Sequence, residues 1–254
     1  MKFFGFVLAT AMILVNGCTS LDKSNSTIVV GVTPNFPPLV NKVDGEFVGF
    51  EVDLLKKIAA DVDKNIVFKE YPFTGLYKAL EEKEVDLVIG GISNTRKRSS
   101  KVSFTESVLV GGQMHIVRRD DYTYLAVPAL IKRKKNIRIG VENRTTGDDY
   151  ATAQFKNAKI IRYDSADTAL WSLKKGNVDV VIHDAPTSWN CSDPALKPVF
   201  RQLTKEPYGW AYRKGEEARF SSISKALKKF KMAPAFQTMW KQWTPQVTTI
   251  TFGK

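Results

Sequence analysis

The feature that most constrains the fold is an alternation of strands and helices that runs once, breaks off and starts again. The first run opens with TIVVGV at Thr27–Val32, a β-rich stretch closed by Thr33-Pro34. Residues 51–62 then place Val52, Leu54, Leu55, Ile58, Ala59 and Val62 at helical spacing. Residues 65–71 read as a second strand and 76–82 as a helix. The apolar run Leu87-Val88-Ile89, stopped by Gly90-Gly91, reads as a buried third strand. The pattern restarts with strands at 137–141, 158–163 and 178–182 and helices at 147–155 and 166–174. Such alternation demands parallel strands with covering helices, so two α/β units in tandem are expected.

Between the runs, residues 108–118 are extended on either side of Gly111-Gly112, and 127–135 read as a helix. A strand at 207–213 follows the second run, then amphipathic helices at 216–231 and 234–243 and a short strand at 247–252. The 254 residues are 43% hydrophobic and 25% charged, enough for a substantial core and against wholesale disorder. The formal charge of +12 admits nucleic acid, an anionic membrane or small anionic ligands as partners. No zinc-ligand spacing and no aromatic-rich basic strand accompanies it, so nucleic acid is excluded as the expected partner. The densest basic cluster, Lys132 to Lys135 with Arg138 beyond, reads as a solvated helix end.

Met1-Lys2 precedes an apolar run over 3–15, shorter than the ~20 residues a membrane span needs. Val15-Asn16-Gly17-Cys18 then resembles a lipoprotein cleavage site, with Cys18 as the acylated terminus and 19–26 as a polar tether. Asn16 departs from that pattern. A plain signal peptide is the runner-up and a retained anchor the third reading. With Cys18 lipidated, Cys191 is the single thiol left and forms no disulfide within the chain. The expected place is the periplasm or cell surface.

The stretch after the third strand carries chemistry. Paired glycines let a ligand approach the backbone, and an arginine downstream can grip a carboxylate with two parallel bonds. Here Ser93, Asn94 and Thr95 lead into Arg96, Lys97 and Arg98. By themselves these residues fit equally a strand, a tight turn and a solvated helix start.

An ordered set of motifs separates the two readings. Gly49-Phe50-Glu51-Val52-Asp53, then Val85-Asp86 with Gly91-Ile92-Ser93-Asn94-Thr95 and Arg98, then Phe104, then 178–184 (VDVVIHD) resemble the periplasmic amino-acid-binding proteins, family 3. The likeness covers 27–243. The glutamine-binding branch shares Phe73-Thr74-Gly75 and the His183-Asp184 pair. The resemblance implies a two-lobed type II periplasmic-binding-protein fold, with mixed, mainly parallel sheets joined by two hinge strands. Lobe 1 would hold 27–117 plus 206–254 and lobe 2 would hold 118–205, with hinges near 116–119 and 205–208. It implies capture of an amino acid, expected to be polar, between the lobes for delivery to the membrane permease of an ABC importer.

Carried over to this chain, the resemblance assigns Arg98 and Ser93 to the ligand carboxylate and the Gly91 carbonyl to its ammonium. Asp184 takes the ammonium from the other lobe, and the helix start at Thr145-Thr146 adds backbone amides. Phe36 and Phe73 sandwich the aliphatic stem, while His183 and Glu142 approach the side chain. Arg144 stands where the family has glycine. Thr33 stands where binders of glutamine and basic amino acids have an acid, which argues against those ligands unless Glu142 supplies one.

No catalytic residue, metal or cofactor is assigned, since there is no Ser-His-Asp set, ligand cluster or phosphate loop. A monomer is expected. Two other functions stay open: an enzyme of the cyclohexadienyl dehydratase type on the same fold, and a surface or sensor receptor domain. Trp171, Trp240 and Trp243 read as core, and His115 and Cys191 as structural. Metabolic labelling with a palmitate analogue is expected to mark the wild-type chain and to lose the mark in Cys18→Ala; equal labelling of both would remove the lipoprotein reading.

Overall fold

The computed structural model describes residues 26–244. Cys18, nearly all of the tether and the strand expected at 247–252 lie outside them. In chain order the first part holds β1 (Thr27–Val32), β2 (Asn41–Val43), β3 (Glu46–Val48), α1 (Phe50–Ala60), β4 (Asn65–Glu70) and α2 (Leu76–Glu81). It continues with β5 (Leu87–Val88), α3 (Arg96–Ser99), β6 (Val102–Phe104) and β7 (Leu109–Gly111). The second part holds β8 (Gln113–Arg118), α4 (Tyr122–Leu125), α5 (Pro128–Arg133), β9 (Arg138–Glu142), α6 (Thr146–Gln154) and β10 (Lys159–Tyr163). Then come α7 (Ala166–Lys174), β11 (Val180–Asp184), α8 (Ala185–Trp189) and β12 (Leu196–Val199). The chain returns through β13 (Glu206–Tyr208), β14 (Ala211–Arg213), α9 (Glu217–Lys231) and α10 (Pro234–Trp243).

Two five-stranded sheets result, ordered β4-β1-β5-β14-β6 and β10-β9-β11-β8-β12. In each, the first three strands are parallel and the last two join antiparallel. The strand that turns each sheet antiparallel, β14 or β8, enters it directly after a crossing between the two sheets. The crossing itself is the antiparallel pair β7–β13, with Gly111 opposite Glu206 and Leu109 opposite Tyr208. A Cβ on Gly111 would stand 2.4 Å from the Tyr208 ring, so only glycine lets the crossing strands close over that tyrosine.

This corrects two boundaries. Residues 108–118 are not one run belonging to the first lobe up to 117. They break at Gly111-Gly112, and β8 pairs with β11 and β12 in the second sheet, with Ile116 and Val117 in its cores. The first crossing therefore falls at Leu109–Gly111 and not at 116–119. The expected strand over 207–213 is likewise split by Gly209-Trp210 into β13 and β14.

A matched device sets the parallel register in both sheets. Asp86, just before β5, accepts from the N–H of Val29 on β1 (3.0 Å). Asp179, just before β11, accepts from the N–H of Arg138 on β9 (2.9 Å). Burial works against the charge of Asp86, but Arg219, Val29 and Arg213 outweigh it and hold the carboxyl below its ordinary range. Arg138 does the same for Asp179 against its burial. Both acids are structural.

The first core packs α1, α9 and α10 on one face of the sheet through Phe50, Leu54, Leu55, Ile58, Phe220, Phe236 and Trp240, all buried. Each fully buried side chain of this kind contributes roughly 1.5–3 kcal/mol. Trp240 is core as expected, and half-buried Trp243 donates to Asp53 (2.9 Å). Trp171 is not core: Ala166, Ala169 and Leu173 take the sheet side of α7 and leave Trp171 58% exposed.

Glu51, 1% exposed, ties this core to the end of β5. Its Oε1 accepts from Gly91 N–H and its Oε2 from Gly90 N–H, each at 2.9 Å, and Oε2 also accepts from Trp210 Nε1 at 3.0 Å. Removing it leaves two backbone donors and an indole N–H buried without partners. Glu51→Leu is therefore expected to cost about 3–5 kcal/mol in urea unfolding. A loss below about 1 kcal/mol would mean that the three donors find other acceptors.

Candidate ligand-binding site

A cavity of about 140 Å³ lies between the carboxyl ends of the parallel strands of the two sheets, where open α/β sheets bind ligands. The first sheet and its loops supply Phe36, Phe73, Gly91, Ser93 and Arg98; the second supplies Glu142, Thr145, Thr146 and Asp184. Every residue assigned to the site from the sequence lines the cavity except His183.

On the first side the floor is set by Glu51. By holding the N–H groups of Gly90 and Gly91 it turns the chain at the end of β5, with Gly91 at φ +67. A Cβ there would meet Phe36 Cε1 at 2.5 Å, so glycine is needed for both the conformation and the ring beside it. Thr95 caps α3 by accepting from Arg98 N–H (3.2 Å), and Arg98 Nη1 donates to the Ser93 carbonyl (3.2 Å). The guanidinium lies 5.5 Å over the Phe73 ring and 5.9 Å from that of Tyr77. Those contacts aim Arg98 into the cavity and leave the rest of its fork without a protein partner among the described residues. Ser93 lines the cavity, but its hydroxyl donates to Glu206 Oε2 (2.6 Å). The donation to a ligand carboxylate assigned to it would require breaking that bond.

On the second side Thr145 caps α6, accepting from Asp148 N–H (3.2 Å) and donating to the Glu142 carbonyl (2.8 Å). Arg144 before it, where the resemblance leads one to expect glycine, sits at φ +62, a left-handed conformation that glycine adopts without strain. Asp184, the last residue of β11, is 7% exposed; its Oδ1 accepts from Tyr208 Oη (2.6 Å) and Gln113 Nε2 (2.9 Å). His183 points the other way in the strand alternation and packs edge-on against Phe36, centroids 5.7 Å apart. Burial drives its pKa down to about 4, so it is a neutral wall residue behind Phe36 and not a contact.

Sequence reasoning missed Asp167. It lines the cavity from the first turn of α7, beside Ser165, whose hydroxyl caps that helix. The Ser165–Asp167 turn looked like an ordinary helix start, and only the folding of α7 against β9 brings it to the cleft. The cavity thus presents three carboxyls, Glu142, Asp167 and Asp184, against the single guanidinium of Arg98. Burial, then repulsion from Glu206, pushes Asp184 up to about 7 despite bonds from Tyr208 and Gln113 and the nearness of Arg98. Burial, then Asp184 and Asp167, pushes Glu142 up to about 7. A zwitterion would satisfy one cationic and one anionic anchor, leaving two carboxyls over.

An ABC transporter arginine-binding protein of Escherichia coli (strain K12) is 30% identical over 238 residues, covering 91% of this chain and 94% of that protein. Among solved structures, an ancestral amino-acid-binding protein described as a precursor of cyclohexadienyl dehydratase superposes with a TM-score of 0.81 at 25% identity, over 87% of this chain and 97% of that one. An ancestral arginine-binding protein bound to arginine superposes with a TM-score of 0.78 at 28% identity, over 86% and 98%. Residues 28–246 carry the signature of the bacterial extracellular solute-binding proteins, family 3, and the chain belongs to that family.

Proposed function

We propose that the cavity takes an α-amino acid with a cationic side chain. The chain captures an amino acid outside the cytoplasm and hands it to an ABC importer. In our reading Arg98 pairs with the ligand carboxylate, Asp184 Oδ2 meets the ammonium, and Glu142 and Asp167 receive the second positive charge. Phe36 and Phe73 flank the stem. The observation that carries this is the surplus of carboxyls over guanidinium in the cavity. Thr33, read alone, argued against a basic ligand; the acids it lacks come from the second sheet. Relatives described as arginine-binding support the same class. The chain acts as a monomer, held at the membrane through Cys18.

A second reading rests on Glu142, whose carboxyl is raised by burial, then by Asp184 and Asp167, to about 7, where a general acid can work. The structure neighbour described as a dehydratase precursor is itself an amino-acid-binding protein. Binding without turnover is expected, and product formation from prephenate or arogenate would reverse that conclusion.

Titration calorimetry is expected to give micromolar or tighter binding of arginine or lysine, and weaker binding of glutamine. Glu142→Gln and Asp167→Asn should each weaken the basic ligand about tenfold or more, and Arg98→Ala should cost about 2–5 kcal/mol. Equal affinity for glutamine, together with silent acid variants, would overturn the cationic assignment.

The pH dependence follows in sign. Asp184 and Glu142 titrate at about 7 in the fold, above their ordinary 3.8 and 4.5. Their contribution to unliganded stability is fully present below those ordinary values and is lost as pH rises through about 7. The ligand-free melting temperature should therefore fall from about pH 4 to 7 and level off above, while affinity for a basic amino acid rises over the same range, with proton release on binding. Glu142→Gln should flatten both curves.

A further inference from the structure

The second lobe carries an exposed face that the ligand site leaves unexplained. Along α4 and α5, Leu125 and Ile131 turn inward and are buried in the core of that lobe. Ordinary packing accounts for them. On the outer side, Tyr124, Val127 and Leu130 are 71%, 43% and 46% exposed. No element among the described residues covers them. Lys132, Arg133, Lys134 and Lys135 follow directly, all exposed. Lys132 donates to Gln154 Oε1 (2.9 Å) and lies 5.8 Å over Phe155. Arg133, Lys134 and Lys135 take part in no ion pair among the described residues. Of the acids that precede α4, Asp121 is already paired with Arg118 (2.6 Å).

We propose that this face rests on an anionic phospholipid surface. Uncompensated cations next to exposed apolar side chains are the combination that an anionic bilayer interface satisfies. The cations meet lipid phosphates, and the tyrosine, valine and leucine side chains enter the headgroup layer. Lysine and arginine stems lie along apolar surface while their charges stay in water, so the two halves of the patch work together. The formal charge of +12 on the whole chain draws it toward the same surface. The face sits at the start of β9, and Glu142 ends that strand. About 13 Å of strand therefore separates the patch from the cavity, and membrane contact leaves the cleft free to admit ligand.

The test uses the full chain in a Cys18→Ala background, so that no acyl group drives partitioning. It measures co-sedimentation with vesicles of phosphatidylcholine alone or mixed with phosphatidylglycerol, at low and high salt. Binding to the anionic vesicles alone, weakened by salt, is expected. R133E/K134E/K135E should lower the partition coefficient about tenfold or more. Y124S/L130S should lower it without altering its salt slope. K225E/K228E/K229E on α9 removes the same charge from another exposed face and should change it far less. Retained amino-acid binding in each variant confirms its fold. Partitioning by the patch variants equal to that of the parent, or an equal loss in the α9 variant, would overturn the proposal.

Discussion

The buried carboxylate of Glu51 is the interaction on which the binding side of the first lobe depends. A carboxylate at 1% exposure is costly unless it is fully bonded. Here it accepts from two consecutive backbone N–H groups and an indole N–H. Burial pushes its pKa upward while those three bonds oppose the rise. The arrangement joins α1, the end of β5 and the strand return at Trp210 through one side chain. It also fixes the Gly90-Gly91 turn against which Phe36 packs, and so the floor of the cavity. Arg98 is aimed from that floor: its guanidinium bonds to the Ser93 carbonyl two residues beyond Gly91.

A second acid links the site to the crossing between the sheets. Tyr208 stands on β13, opposite Leu109, and donates to Asp184 on the far sheet. Its hydroxyl also accepts from the N–H of Gly112 (3.3 Å). Burial and the neighbouring Asp184 hold the Tyr208 phenol well above its ordinary range, so it remains a donor. The group proposed to meet the ligand ammonium is thus bonded to the strand about which the lobes would turn. Hinge motion in two-lobed proteins is absorbed at a few positions, and a hinge at β13 would be coupled to the site through this hydrogen bond. Phe36 against His183, Lys97 with Asp149 (3.7 Å), and Trp189 packed on the first core are further contacts that bring the two sides together.

Much of the fold was legible because hydrophobic periodicity is local. Residues 51–62, 65–71 and 166–174 were read within a residue or two of α1, β4 and α7. The errors fall where a break depends on distant partners. Gly111-Gly112 looked like an interruption in one extended run. Only the Tyr208 ring opposite shows that the chain changes sheets there. Trp171 shared its helical spacing with buried residues, and spacing alone does not say which face of α7 meets the sheet. Glu51 was quoted as part of a motif, but its three donors lie 39, 40 and 159 residues away.

For the site, the sequence by itself determined the chemistry available: a guanidinium after a Gly-Gly strand end in one unit, and an acid at the matching strand end of the other. The duplicated pattern placed both at strand ends, and the family resemblance implied that those ends face one cleft. The tertiary structure alone decided how those groups are spent. It committed the Ser93 hydroxyl to Glu206, turned His183 behind Phe36, and brought Asp167 in from a helix start that carried no local mark. The physical reason is that burial and pairing are properties of surroundings assembled from both lobes. A carboxyl such as Glu142 titrates at about 7 because of what lies around it, and its own segment of chain holds no record of that.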